Sequence, residues 1–167
     1  MFITLLLALS PTGLWGQTPP EEFDNELHTF VGQIYREVSN EGQREIDWGN
    51  VRSFFAEDAV IVLRTSLDGV THMTVDQFVQ DFKEFYQTPR VREHGFKEEI
   101  LAMDARIYHE MACVEVLYAA TITDGTGASH KGIDFWLLNR AEGQWKVIAV
   151  TNEAVTPALG IPDWITD

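Results

Sequence analysis

The stretch His130–Glu153, HKGIDFWLLNRAEGQWKVIAVTNE, decides the fold. It predicts two apolar β-strands joined by a tight turn at Glu142-Gly143. Asp134 lies in the most apolar part of the first strand, between Ile133 and Phe135. A lone carboxylate costs free energy in such a place unless a partner or a ligand uses it.

The strands before this hairpin follow the same pattern. Two long strands are predicted to meet tightly at His109-Glu110, and Asp124-Gly125-Thr126-Gly127 makes the next turn. The second half of the chain is therefore predicted to form four long antiparallel strands. Their predicted ranges are 96–108, 111–123, 133–139 and 145–151.

The first half of the chain is predicted to be mainly helical, with one small hairpin. Apolar residues at helical spacing predict an amphipathic helix over 21–40, closed by Gly42. Asp47 is a good N-cap for a short second helix. The capping box Thr74-x-x-Gln77 starts a third helix, which runs to about residue 86. The remaining signals are a strand over 59–66, a turn at Asp68-Gly69, a short return strand, and Pro89 as the end of the third helix.

This order of elements predicts an α+β fold. Three N-terminal helices would wrap one face of a curved antiparallel sheet, giving a cone with an internal pocket. The chain has 167 residues, which suits one domain over 17–155 and a C-terminal tail over 156–167. The formal net charge is −14, which argues against a nucleic-acid partner because phosphate binding needs a basic surface.

The first sixteen residues, MFITLLLALSPTGLWG, carry no charge and are typical of an export signal cleaved after Gly16. The apolar run is too short to span a bilayer, so a secreted or periplasmic protein without membrane contact is predicted. No Lys or Arg precedes the run, which departs from the usual signal. The competing interpretation is an incomplete start or a buried N-terminal segment of a cytoplasmic protein. Cys113 is the only cysteine, so no intrachain disulfide forms.

Two segments resemble the nuclear transport factor 2-like superfamily, which includes ketosteroid isomerases, scytalone dehydratase and the SnoaL-like polyketide cyclases. They are FFAEDAVIVL, Phe54–Leu63, and KGIDFWLLNRAEGQWKVIAV, Lys131–Val150. With the order of elements, the resemblance extends over roughly 22–153. It implies the cone fold and says little about activity, since this fold hosts many unrelated functions.

The resemblance implies a role for Asp134. In ketosteroid isomerases the matching aspartate is kept protonated in the cavity and donates to an oxyanion. Asp134 would then face the pocket with Trp136 and Leu138, by strand alternation. Ile133, Phe135 and Leu137 would lie on the outer face, which in relatives often packs against a second subunit, so a homodimer is expected.

The catalytic residues of the known enzymes do not all carry over. The position that matches the general base of the isomerases is Leu63, with Arg64 beside it. Without a base, proton abstraction beside a carbonyl is not supported. The scytalone dehydratase pattern needs two histidines and an aspartate in the cavity, and the sequence does not assign two of its five histidines to the pocket.

Candidate site residues follow from the pattern and the resemblance together. Catalytic candidates are Asp134 and His72, and ligand-binding candidates are Tyr35, Trp48, Arg64, Glu115 and Trp136. Four of them have a structural alternative: Asp134 paired with Arg64, Lys131 or Arg106; His72 at the surface or at a helix cap; Tyr35 in plain core packing; Glu115 exposed on the outer face. No metal cluster, phosphate loop or cofactor motif stands out.

Three functions are consistent with these residues. The preferred one is an exported protein that binds a small apolar or aromatic molecule in its pocket. The second is an enzyme of the SnoaL or isomerase kind that uses Asp134. The third is a ligand-free dimerisation or accessory domain.

Overall fold

A computed structural model describes residues 20–41, 44–66 and 69–166 of the chain, with side chains described over 24–41, 44–64 and 69–166. The predicted export signal, the helix end at Gly42 and the turn residue Asp68 lie outside these ranges. Within them no helix is long and apolar enough to cross a bilayer.

Four helices and six strands make up the described chain, followed by a short 3-10 helix in the tail. They are α1 (Pro20–Glu37), α2 (Trp48–Ser53), β1 (Phe55–Ser66), β2 (Gly69–Met73), α3 (Val75–Gln87), α4 (Pro89–His94), β3 (Phe96–Tyr108), β4 (Met111–Ile122), β5 (Ser129–Ala141), β6 (Gln144–Ala154) and the 3-10 helix Asp163–Ile165.

The six strands form one open sheet in the order β2-β1-β6-β5-β4-β3. The α+β class is confirmed, and β3 to β6 form the predicted antiparallel meander. One pairing differs from the prediction, because β1 runs parallel to β6. Parallel neighbours need a long crossover, and here the chain between β1 and β6 supplies it with two helices and four strands.

Local signals place the elements where the sequence predicts them. The backbone N–H of Asn50 donates to Asp47 at 3.0 Å, which caps α2. Thr74 and Gln77 form both bonds of the capping box that starts α3. Glu142 and Gly143 have φ values of 54° and 76°, the pair of positive angles that a two-residue hairpin turn requires.

The helix after Thr88 corrects the prediction of three helices. Pro89 does terminate α3, but it also occupies the first turn of α4. Proline suits that position because its fixed φ is already helical and its missing N–H would have no partner within the helix. Val91 of this helix is buried against the core.

The main core lies between the helices and the concave inner face of the sheet. Aromatic side chains of α3 pack along it. The ring of Phe78 lies edge to face with that of Phe82, with 4.9 Å between ring centres, and its centre is 5.4 Å from that of the tilted Phe55 ring on β1. The inner face of β4 and β5 supplies Val114, Val116 and other fully buried side chains. The helices therefore close one side of the sheet and define what lies between.

The tail covers part of the opposite, outer face. Ile165 is buried with Leu117 and Ile133 in a second small cluster. The ring of Trp164 lies 5.8 Å from that of Phe135. The outer face is therefore only partly covered within the chain.

Candidate functional site

A cavity of about 90 Å³ lies between α1, α3 and the inner face of the sheet. Five polar side chains from five elements line it: Tyr35, Glu98, Tyr118, Asp134 and Asn152. The remaining wall is apolar and largely aromatic, and within the described residues no Lys, Arg or His contributes to it.

Asp134 faces this cavity and is only 8% exposed. Strand alternation puts it on the inner face with Trp136 and Leu138, as the sequence predicts. The hydroxyl of Tyr35 donates a hydrogen bond to Oδ2 of Asp134. Burial raises the pKa of Asp134 to about 7, while the bond from Tyr35 acts in the opposite direction.

The cationic partners considered for Asp134 are engaged elsewhere. Nε of Arg64 lies 2.6 Å from Oε1 of Glu153, and Nη2 of Arg106 lies 2.6 Å from Oε1 of Glu115. Lys131 is exposed and lies outside the cavity wall. Asp134 is therefore held by a neutral donor, and a structural ion pair with these residues is excluded.

Tyr35 projects from α1 onto the strand that carries Asp134. It is almost fully buried, and burial together with the charge of Asp134 raises the pKa of its hydroxyl well above the ordinary value. Its ring centre lies 6.0 Å from those of Trp136 and Tyr118. The indole nitrogen of Trp136 is buried and faces the Tyr35 hydroxyl without a well-aligned hydrogen bond, and its proximity limits the rise in the pKa of Tyr35.

Tyr118 closes another side of the cavity because Gly132 leaves room for its ring. The two residues are paired across β4 and β5. A Cβ added to Gly132 would lie 2.7 Å from Cε1 of Tyr118 and closer still to its hydroxyl, so any side chain there would displace the ring. Nδ2 of Asn152 donates to the Tyr118 hydroxyl at 3.4 Å, and Oδ1 of Asn152 accepts from the backbone of Arg64 at 2.6 Å.

Glu98 is a cavity residue that the sequence analysis missed. It lies on β3, between Phe96 and Ile100 on the inner side. Burial and the nearby charge of Asp134 raise its pKa to about 8. Within the described residues its carboxyl group makes no hydrogen bond and no ion pair. Side chains alternate between the two faces along β3, and Glu99 is exposed, so its neighbour Glu98 points to the inner face. Alternation is the signal that could have found it in the sequence.

His72 does not reach the cavity. It is exposed on the edge strand β2, where it pairs with Val62 of β1. Leu63, next in the chain, lines the cavity, so Val62 and its cross-strand partner His72 point to the opposite face. The structure therefore separates His72 from Asp134.

Two other predicted ligand contacts lie on the outer side of the sheet. Arg64 is outside the cavity wall and pairs with Glu153. Glu115 is buried but faces outward, opposite Asp104 and Phe135 on the neighbouring strands. It is neither a second pocket acid nor exposed, because Arg106 covers and pairs it.

Trp48 stands behind the cavity wall. Its ring centre lies 6.4 Å from that of Phe82 and 5.7 Å from that of Tyr86. Phe82 lines the cavity and Trp48 does not. Of the seven predicted residues, the structure brings together Tyr35, Asp134 and Trp136.

The chemistry available at this site is that of two carboxyl groups with pKa values near neutrality. Each can gain or lose a proton near pH 7, and both face one apolar space. The part of the chain that the structure describes contains no cluster of three or more His, Cys, Asp or Glu side chains that could hold a metal ion.

Comparison with known proteins adds information on the fold alone. No protein-family model and no curated protein matches the sequence. Solved structures do match. An NTF2-like protein with a cystatin-like fold from Novosphingobium aromaticivorans superposes with a TM-score of 0.65 at 13% identity, over 83% of this chain and 87% of its own.

Two further solved structures carry names that suggest enzymes. A protein provisionally described as a scytalone dehydratase, also from Novosphingobium aromaticivorans, has a TM-score of 0.61 at 11% identity and covers 81% of this chain and 86% of its own. ActVI-ORFA from Streptomyces coelicolor has a TM-score of 0.61 at 14% identity, over 80% of this chain and 97% of its own. Sheet order, helix placement and these superpositions agree, and the chain has the NTF2-like, cystatin-like α+β fold.

Proposed function

We propose that this protein binds a small molecule in the cavity between its helices and its sheet. The observation that carries the proposal is the convergence of five polar side chains on one otherwise apolar space. Binding sites in proteins are commonly of this kind, with a mostly apolar wall and a few polar groups that orient the ligand. Asp134, Tyr35 and Trp136 are the anchors that the sequence also predicts.

The size of the cavity limits the ligand. Its volume of about 90 Å³ is well below the ~300–1,000 Å³ of typical ligand pockets. It takes either a molecule of a few heavy atoms or the polar end of a larger one. A larger ligand has to displace the half-buried ring of Phe82, which lies beside the cavity on α3.

The test is a pair of matched substitutions of buried acids on opposite faces of the sheet. Asp134→Asn changes the inner carboxyl, and Glu115→Gln changes an outer one of similar burial. Both variants and the wild type are screened against a library of small fragments by ligand-detected NMR. We expect fragments that bind the wild type and Glu115→Gln but bind Asp134→Asn at least about tenfold more weakly.

A folded Asp134→Asn variant that binds the same fragments as the wild type would contradict this role of the cavity. A complete absence of fragment binding to the wild type would favour the third function, a ligand-free accessory or dimerisation domain. Circular dichroism establishes that the variants are folded.

A second function, acid–base catalysis, is supported by one specific observation. Asp134 and Glu98 face the same cavity and titrate near neutral pH, which is common for catalytic carboxyl groups. A carboxyl kept protonated beside a tyrosine hydroxyl can also donate to a developing oxyanion, as in the isomerases. Glu98 supplies the second carboxyl that the sequence at Leu63 lacks.

We also propose that the protein forms a homodimer through the outer face of the sheet. Four large apolar side chains are exposed there, namely Tyr108, Met111, Leu137 and Ile148. They border a surface depression of about 410 Å³. Exposed apolar patches of this kind usually mark an interaction surface. We also propose that the protein is exported from the cytoplasm. The test is whether the mature protein lacks residues 1–16.

A further inference from the structure

The described side chains bring two carboxyl groups and no cation into the inner cavity. Asp134 enters it from β5 and Glu98 from β3. Asp134 is held by the Tyr35 hydroxyl, and the Glu98 carboxyl has no hydrogen-bond or ion-pair partner among the described side chains. Asp134 is buried and Glu98 is half-buried. Carboxylates that are removed from water in this way are normally paired with a cation or a metal. This cavity leaves that position to a ligand.

The walls of the cavity suit the same kind of ligand. Aromatic rings surround the acids on several sides: Tyr35 from α1, Phe78 and Phe82 from α3, Tyr118 from β4 and Trp136 from β5. The faces of such rings attract cations, most strongly where water is excluded. An organic cation can therefore contact a carboxylate and one or more rings at once.

We propose that the cavity recognises the ammonium group of a small amine, bound between the Glu98 and Asp134 carboxylates and the surrounding aromatic rings. This inference rests on the proposed function, since it names the chemical class of the ligand at the same site. The volume of about 90 Å³ is about three times the ~30 Å³ that a water molecule occupies in the liquid, which suits an ammonium head with a few carbon atoms.

The groups that face the two acids fix the direction of the pH dependence. Tyr35 on α1 and Tyr118 on β4 have raised pKa values and stay neutral near pH 7. Burial and the charge of Glu98 raise the pKa of Tyr86 on α3, so Tyr86 also stays neutral; its hydroxyl donates to the carbonyl of Val38. The described side chains of β1 and β6 that line the cavity are uncharged, namely Leu63, Val150 and Asn152. Amine binding therefore requires deprotonation of the carboxyl groups themselves.

The alternative ligand is a neutral carbonyl or hydroxyl compound, which would accept a hydrogen bond from a protonated carboxyl. The two alternatives predict opposite effects of pH. An amine, which carries its proton throughout the range near pH 7, binds more tightly as the two carboxyl groups ionise. A neutral acceptor binds more tightly as they become protonated.

The experiment compares three probes with the same carbon skeleton and different heads: isobutylamine, isobutanol and isobutyrate. Their dissociation constants for the full chain are measured by calorimetry at about pH 6 and about pH 8.5. We expect isobutylamine to bind at least about tenfold more tightly than isobutanol at the higher pH, because a charge-assisted hydrogen bond is roughly twice as strong as a neutral one. We expect its affinity to fall at the lower pH, and isobutyrate not to bind.

Two variants identify the carboxyl groups that cause this preference. In Glu98→Gln and in Asp134→Asn the preference for the amine over the alcohol should fall severalfold, whereas Glu115→Gln should retain it. The use of two inner variants keeps the test valid if one of them does not fold.

The outcomes separate the inference from the proposed function. Isobutanol binding as tightly as isobutylamine, or amine affinity that falls as the pH rises, overturns the inference and leaves a binding cavity in place. Amine binding that both inner variants retain also overturns it. Failure of all three probes at millimolar concentration overturns the amine assignment, and the fragment screen then decides separately whether the cavity binds anything.

Discussion

Replacement of Asp134 by Asn should make the protein less sensitive to rising pH. The pKa of Asp134 is about 7 in the folded chain, against an ordinary value of 3.8. Between these values the folded state holds a proton that the unfolded state has released. The free energy of unfolding therefore decreases as the pH rises through this window and becomes constant above it.

The expected loss of unfolding free energy depends on how much of the range between the two pKa values lies at a pH where unfolding can be measured. From about pH 5.5 to the folded pKa is about 1.5 pH units, and each unit corresponds to ~1.4 kcal/mol. The wild type should thus lose about 2 kcal/mol through Asp134 between about pH 5.5 and about pH 8.5, and Asp134→Asn should not. The difference between the two proteins reports Asp134 together with its effect on Glu98, because the charge of Asp134 contributes to the raised pKa of Glu98.

The measurement is urea unfolding of both proteins at the two pH values, followed by circular dichroism. Glu98→Gln provides a second comparison with the same sign, because the pKa of Glu98 is raised to about 8. Equal losses of unfolding free energy in the wild type and Asp134→Asn would refute the reasoning. That result would mean that Asp134 ionises as easily in the folded chain as in the unfolded one.

Three further predictions concern other parts of the chain. Gly132→Ala should destabilise the fold by about 1–3 kcal/mol in urea unfolding because its methyl group displaces Tyr118, whereas Gly32→Ala in α1 meets no atom within 4 Å and should stabilise slightly. Leu137→Glu should convert the proposed dimer to a monomer in light scattering, with Leu159→Glu in the tail as the control that does not; a monomeric wild type would contradict the dimer. The intact mass of protein from the native host should correspond to a chain that starts after Gly16, and a mass that includes residues 1–16 would disprove export-signal cleavage.

The inward orientation of Asp134 could be predicted because it depends on a local rule. Side chains alternate along a strand, and the apolar pattern around Ile133 to Leu138 fixes which face is buried. The capping box at Thr74 and the turn at Glu142-Gly143 are local in the same sense, since each needs only a few adjacent residues. All of these appear in the structure at the predicted positions.

The partners of charged side chains could not be predicted because they depend on contacts between distant strands. Arg64 and Glu153 meet because β1 lies parallel to β6, a pairing that neither strand reveals by itself. Arg106 pairs with Glu115 across β3 and β4. The sequence alone does not reveal this pair, so Glu115 could be interpreted as a pocket acid or as an exposed residue. Alternation along β3 could have placed Glu98 on the inner face, but only the assembled sheet shows that it shares a cavity with Asp134.

The contrast between Glu115 and Asp134 carries the argument for a ligand. Both are acids in the middle of adjacent strands, and they are 5% and 8% exposed. Glu115 has a guanidinium 2.6 Å away, while Asp134 has only the hydroxyl of Tyr35. Equal burial with unequal pairing means that the fold can supply a cation to an acid in this sheet, and does so on one face. Asp134 has no cation beside it, and burial raises its pKa. The folded chain is therefore less stable at neutral pH than at lower pH. A cationic ligand bound in the cavity would offset this loss of stability.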